Sequence, residues 1–403
     1  MISPPVTAFA VRPAVPAIWR ADVGFALLAI LWAGEATVRL PAGPAITAAV
    51  YGYFVLRFAS DRGFPRAVLM AWPVLAFPML CLASALWSPV PEVTLVGAIQ
   101  LVFTVLLAIF LGQRFGLAGL AGLLLTALGL SVAASLVNLA ALFPPVWSWE
   151  GGFLGIYTNK NALGQRCVML ALTVSLFALA DRRRRALWLL ALGGTLGVLW
   201  LTLSVTSIVL GAAAVGAFWL WMHGAGSAQG RTRLAVLGIA GGLAGLVPVA
   251  LMGVDPLAEL FGAFGKDATL TGRTVLWQVA LERAADHPLR GLGYLAYWAA
   301  PEYAQETRLL TAAYGSGVSA FHNAGLEVFV ALGPLGPVTL AGLLGWSGLH
   351  LVRAPAGPVR AWALILFAVL ILAALLGSSL YRPHEITLLT VVALGAGAAR
   401  ARP

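Results

Sequence analysis

About twelve times along this 403-residue chain, an apolar run of bilayer length begins and ends at a charge, a proline or a glycine. A hydrocarbon core of ~30 Å takes about 20 such residues per helix, and lipid leaves no water to satisfy backbone groups outside a helix or closed barrel. The runs lie near 18–36, 42–58, 67–87, 93–112, 115–142, 162–180, 186–204, 205–222, 234–254, 324–349, 361–379 and 384–399. They predict an all-α, polytopic membrane helix bundle. Charged residues make up only 10% of the chain and hydrophobic ones 61%, whereas soluble domains carry about 25% charge. A soluble globular enzyme, a disordered chain and a disulfide scaffold are thereby excluded; Cys81 and Cys167 both sit in apolar runs and need no partner. No signal-peptide cleavage site is read ahead of the first run, and no repeat of solenoid length is visible. The Gly193 to Gly197 tract predicts close helix packing.

The net charge of +10 does not point to nucleic acid, because the basic residues punctuate apolar segments instead of crowding one soluble domain. They set sidedness instead, since cytoplasmic loops collect Lys and Arg. With Arg182, Arg183, Arg184 and Arg185 placed inside, alternation puts Arg12, Arg20, Arg57, Arg62, Arg66, Arg114, Arg231, Arg233, Arg353, Arg360, Arg400 and Arg402 on the same side, against only Asp22, Asp61 and Asp181. Both termini are then cytoplasmic. The chain divides into N-terminal spans over 1–254, an external loop over 255–322 and C-terminal spans over 323–403. Within that loop Thr271 is an expected N-cap and Gly272 to Asp286 an amphipathic helix ended by His287-Pro288. Its face of Leu276, Trp277, Ala280, Leu281 and Ala284, widened by Val275 and Val279, predicts a helix wedged against the bundle.

Polar residues that could carry chemistry collect at the outer boundary. In Thr158-Asn159-Lys160-Asn161-Ala162-Leu163-Gly164, with Arg166 following, a cation precedes a helix N-terminus. That combination suits a phosphate, although from the spacing alone an N-cap at Asn159 or Asn161 plus a snorkelling Lys160 is the favoured reading. Arg273 follows Lys266, Asp267 and Thr271 into the first turn of the loop helix, where a cation opposes the dipole. A bound anion would resolve that conflict; so would a pair with Asp267 or Glu282. His322, in Phe321-His322-Asn323-Ala324-Gly325-Leu326-Glu327, has the pKa range of a base or donor, or serves structure. Arg382 and His384 flank the last outer turn. Tyr294, Tyr297 and Trp298 read first as an interfacial aromatic belt and second as a sugar platform. No zinc spacing, P-loop or Asp-x-Asp pair occurs, so neither cofactor nor metal is expected, and phosphate charge would fall to Lys and Arg. The scarcity of charge inside the spans argues against an ion-coupled carrier.

Taken in order, TNKNALG from Thr158, KDATLTGRTVLW from Lys266, HPLRGLGY from His287 and FHNAGLEVFVALGPLG from Phe321 resemble the O-antigen ligase and polysaccharide polymerase superfamily. LWSPVPE from Leu86 and SVTS from Ser204 resemble further segments of it, and the KDATLTGR form is similar to the exopolysaccharide-polymerase branch, the ExoQ type. The resemblance covers about residues 65–380. It implies a bundle of about twelve helices in the bacterial inner membrane, with a periplasmic active site. There a glycan passes from undecaprenyl diphosphate to an acceptor hydroxyl, either another lipid-linked glycan (polymerase, the favoured reading) or the lipid A core (ligase). A chain-length regulator or flippase would be the accompanying protein. By the family pattern Arg273 matches the arginine at the donor diphosphate, His322 the base or acceptor-positioning histidine, and Lys160 the basic position of the earlier loop, with Asn161 and Lys266 beside them. Where relatives often carry a basic residue before the Lys-Asn, this chain has Asn159, so a second arginine must come from Arg166, Arg290 or Arg382. The alternative from another class is a small-solute transporter, for instance of bicarbonate.

Overall fold

A computed structural model describes residues 17–223, 269–314 and 319–400. The expected span 234–254, and with it Lys266 and Asp267, lies outside the described residues. Within them the apolar runs form helices: α1 (Ala17–Ala33), α2 (Gly43–Ser60), α3 (Phe64–Met70), α4 (Trp72–Ala83), α5 (Pro91–Val137), α6 (Lys160–Ala180), α7 (Arg185–Leu201) and α8 (Val205–His223). The second half adds α9 (Thr269–Asp286), α10 (Ala304–Tyr314), α11 (Ala324–Leu332), α12 (Leu335–Arg353), α13 (Pro358–Leu375) and α14 (Ile386–Arg400). No strand occurs among the described residues, and one isolated bridge pairs Trp147 with Phe153. The chain is a multi-pass helical membrane protein: among the described residues five helices are long and apolar enough to cross a bilayer, six with the bent pair α3–α4.

Four expected spans depart from separate straight helices. The run 67–87 is broken by 84° between α3 and α4, where Pro73 stands in the first turn of the new helix and has no N–H to continue the old one. The runs 93–112 and 115–142 are the two legs of α5, turned at Gly116 with φ +62. The run 324–349 divides into α11 and α12 at Gly333, φ +61. Against expectation, Gly193, Gly194 and Gly197 have open space where a side chain would stand. Close helix approach falls elsewhere, as at Gly395 against Ser347 and Gly336 against Val328.

The core runs through α5, α6, α13 and α14, with Trp362, Phe110 and Leu107 fully buried. Connections gather at two ends. At one end Arg57 and Arg114 close on the buried Asp22 (2.8 and 2.7 Å), and Arg400 donates to the Arg114 carbonyl (2.6 Å). At the other end Arg39 donates to the carbonyls of Phe143, Pro145 and Tyr157, and Trp87 to that of Arg290. A second, smaller core sits over this end, where Leu276, Ala280 and Ala284 of α9 meet Leu292, Tyr297, Phe321 and Val330. The wedged helix is therefore present, but Leu281 is 55% exposed. Tyr294 and Tyr297 are buried in the packing, so they form no interfacial belt; the Tyr294 hydroxyl donates to the Tyr381 carbonyl (2.7 Å).

Candidate active site

Asn159 stands in extended conformation before α6 and accepts from the Asn161 N–H (2.7 Å). It is the N-cap, and it satisfies one of the donors a helix start leaves open. Asn161 is thereby turned to accept from the Ser204 hydroxyl (2.7 Å), whose oxygen lies within hydrogen-bond distance of the Ser207 hydroxyl (2.9 Å). One turn further, Arg166 is 1% exposed. Its Nε donates to the Gly34 carbonyl (3.2 Å), its Nη1 to Gln165 (2.8 Å), and its Nη2 lies 3.7 Å from Glu385. Gln165 donates in turn to Thr387 (2.9 Å), which ties α6 to the start of α14.

A second capped helix start faces this one. Asn323 accepts from the N–H groups of Gly325 and Leu326 (2.9 and 3.1 Å) and opens α11. His322 precedes it at φ +54, a backbone region that non-glycine residues seldom occupy. The surroundings hold it there. The Phe321 N–H donates to the buried Glu327, the Phe321 carbonyl accepts from Trp277 of α9 (3.0 Å), and Arg382 donates to the backbone and hydroxyl oxygens of Ser319 (2.8 and 2.9 Å).

Between these two helix starts lies a cavity of about 500 Å³. Arg166, Arg273, Arg382, His322, Asn161, Glu35 and Glu385 line it, drawn from segments up to 350 residues apart. Val168, Met169, Leu210, Val369, Leu370 and Ala373 give it an apolar wall. Arg273 forms no ion pair among the described residues, so the expected pair with Glu282 is absent. Burial lowers its pKa from the ordinary guanidinium value, yet it stays charged at any physiological pH. For His322, burial first, then the charges of Arg273 and Arg382, push the pKa down to about 4, so the imidazole is neutral at pH 7. Among the described residues no three His, Cys, Asp or Glu side chains cluster as a metal site.

Five of the residues singled out from the sequence thus share one cavity: Arg273, His322, Asn161, Arg166 and Arg382. Lys160 does not line it, because its ammonium is engaged by Glu150 on the preceding loop. Arg290 is exposed outside it, with its carbonyl taken by Trp87. Arg273 also lies past the first turn, since α9 begins at Thr269 and takes in the expected cap Thr271. The dipole conflict is correspondingly weaker there. Glu35, Glu385, Gln165 and the Ser204–Ser207 pair were not singled out as site residues. Glu35, Gln165 and Glu385 lie in helix ends and apolar stretches whose local pattern gives no signal, whereas the serines belong to the SVTS segment, where the resemblance was the available signal.

The exopolysaccharide production protein ExoQ of Rhizobium meliloti (strain 1021) is 30% identical to this chain over 282 residues. The match takes in 67% of the chain and 63% of the relative. The chain belongs with the ExoQ-type proteins. No family model matches it, and the chain spans less than two thirds of that relative's length. The motifs that carry the resemblance also bond to one another. Trp87 and Ser88 of LWSPVPE meet the HPLRGLGY segment, through the Arg290 carbonyl (3.1 Å) and against Gly293. Ser204 and Ser207 of SVTS pack on Asn161 and Gly164 of TNKNALG.

Proposed function

We propose that this ExoQ-type chain is a membrane glycosyltransferase. It would extend an exopolysaccharide by moving glycan from a polyprenyl diphosphate to a hydroxyl of a second lipid-linked glycan at the periplasmic face. One observation carries the reading: Arg166, Arg273, Arg382 and His322, distant in sequence, line a single cavity that also has an apolar wall. A lipid diphosphate has both characters. Its phosphates suit the guanidinium forks, and its isoprenoid suits Val168, Met169, Leu210 and Val369.

In the transfer, the acceptor oxygen bonds to the anomeric carbon while the carbon–oxygen bond to phosphate breaks, its electron pair leaving on the diphosphate. The hydroxyl proton passes to the neutral imidazole of His322. Arg273 and Arg382 oppose the charge that grows on the leaving group, and such preorganised donors are each worth on the order of 10²–10³ in rate. Arg273→Ala membranes of equal expression should therefore lose polymer synthesis by about that factor. Near wild-type output would remove the arginine from the mechanism. A deletion strain should accumulate single lipid-linked repeats; long lipid-linked polymer would instead mark transfer to the lipid A core.

A further inference from the structure

The cavity contains a carboxylate that the reaction above does not use. Helix α1 ends in a regular C-terminal motif, in which the Ala36 N–H donates to the Leu31 carbonyl and the Glu35 N–H to that of Trp32 (both 3.0 Å). Such an ending requires one residue in the left-handed region, and glycine usually fills that place. Here the residue is Glu35, at φ +62. A side chain there costs roughly 1–2 kcal/mol relative to the right-handed region, and a carboxylate at a helix C-terminus faces the negative end of the dipole. Two local rules are thus broken at one residue.

Among the described residues Glu35 forms no ion pair with Arg166, Arg273 or Arg382, although all four line the cavity. Arg166 grips the neighbouring Gly34 carbonyl (3.2 Å) but sets its charge against Glu385. Arg273 likewise forms no ion pair among the described residues. Among those residues the cavity therefore holds a cation and an anion that do not meet. The diphosphate that satisfies Arg273 would be repelled by Glu35, whereas sugar hydroxyls donate hydrogen bonds to a carboxylate readily.

We propose that Glu35 is a glycan-binding residue, which accepts hydrogen bonds from hydroxyls of the acceptor sugar and holds it away from the diphosphate-binding arginines. The assignment rests on the glycosyltransferase reading. It makes the cavity two-sided, with the phosphates at Arg273 and Arg382 and the neutral polyhydroxyl face at the end of α1.

The test uses the full chain purified in detergent, with two probes. One is undecaprenyl diphosphate without sugar. The other is the free oligosaccharide repeat, released by mild acid from the source strain's lipid-linked pool. Glu35→Gln keeps the shape and removes the charge, whereas Glu35→Gly relieves the left-handed backbone. Both variants should bind the oligosaccharide about tenfold or more weakly than wild type, the loss expected for a charge-assisted hydrogen bond. Both should bind undecaprenyl diphosphate within about twofold of wild type, and Glu35→Gly should melt no lower than wild type. Wild-type oligosaccharide affinity in Glu35→Gln overturns the proposal. So do loss of both probes together, a lowered melting temperature in Glu35→Gly, and a wild-type chain that binds no oligosaccharide. If Arg273→Ala binds undecaprenyl diphosphate as well as wild type does, the glycosyltransferase reading fails on its own. The oligosaccharide measurement still decides Glu35.

Discussion

An imidazole half-buried between two arginines is held neutral, and His322 is in that position with a pKa pushed down to about 4. In the unfolded chain the same group titrates near 6.5. Between those values the unfolded state binds more protons, so this contribution to stability is complete above about pH 6.5 and declines as pH falls towards 4. A diphosphate bound at Arg273 and Arg382 would cancel the cationic field and raise the pKa of His322. Donor affinity should therefore increase as pH falls through the raised value. The acid limb of kcat, which reports the complex, should lie at higher pH than that of kcat/KM, which reports the free enzyme. Coincident limbs would mean that the diphosphate does not approach His322. Replacing Arg273 with alanine should raise the imidazole pKa of the free protein, measured from its ring proton shifts, because one repelling charge is gone.

At the scale of elements, the joint between α11 and α12 shows what local pattern conveys and what it leaves out. Phe321 to Gly336 reads as the start of one long span, because Gly333-Pro334 sits in an unbroken apolar run. The chain instead turns at Gly333 and receives the 289–293 segment against it. The Leu292 and Gly293 N–H groups donate to the carbonyls of Val330 and Ala331 (2.9 and 2.8 Å). A Cβ on Gly333 would stand 2.6 Å from the Leu289 carbonyl oxygen, at φ +61. Gly333→Ala should cost about 2 kcal/mol or more through backbone strain and overlap, read as a lowered melting temperature in detergent with reduced transfer. Gly193→Ala, which meets open space in a helix, should be neutral or slightly stabilising. The capping residue Asn159 and the amphipathic α9 were legible, because caps and periodicity are local. The engagement of Lys160 by Glu150, the exposure of Arg290 and the entry of Glu35 and Glu385 into the cavity were not. Each depends on how distant helix ends meet.

Across the molecule the two ends differ in kind. One end is closed by the Asp22, Arg57 and Arg114 cluster around a fully buried carboxylate; the other holds the cavity under the α9 cap. By the positive-inside rule the distribution of arginines predicts that the first end is cytoplasmic, and the lipid-linked reading requires the second to face the periplasm. Sidedness can be read chemically, because both native thiols, Cys81 and Cys167, are fully buried and should react slowly with a charged maleimide. Leu289, 78% exposed beside the cavity end, and Arg183, exposed at the opposite end, are suitable positions for single cysteines. Leu289→Cys should label with a membrane-impermeant maleimide once the outer membrane alone is opened, and Arg183→Cys only after the cells are lysed. The reverse order would turn the cavity to the cytoplasm. There, nucleotide-activated sugars would be the available donors, and the arginine-lined site would have to be reassigned from polyprenyl diphosphate to nucleoside diphosphate.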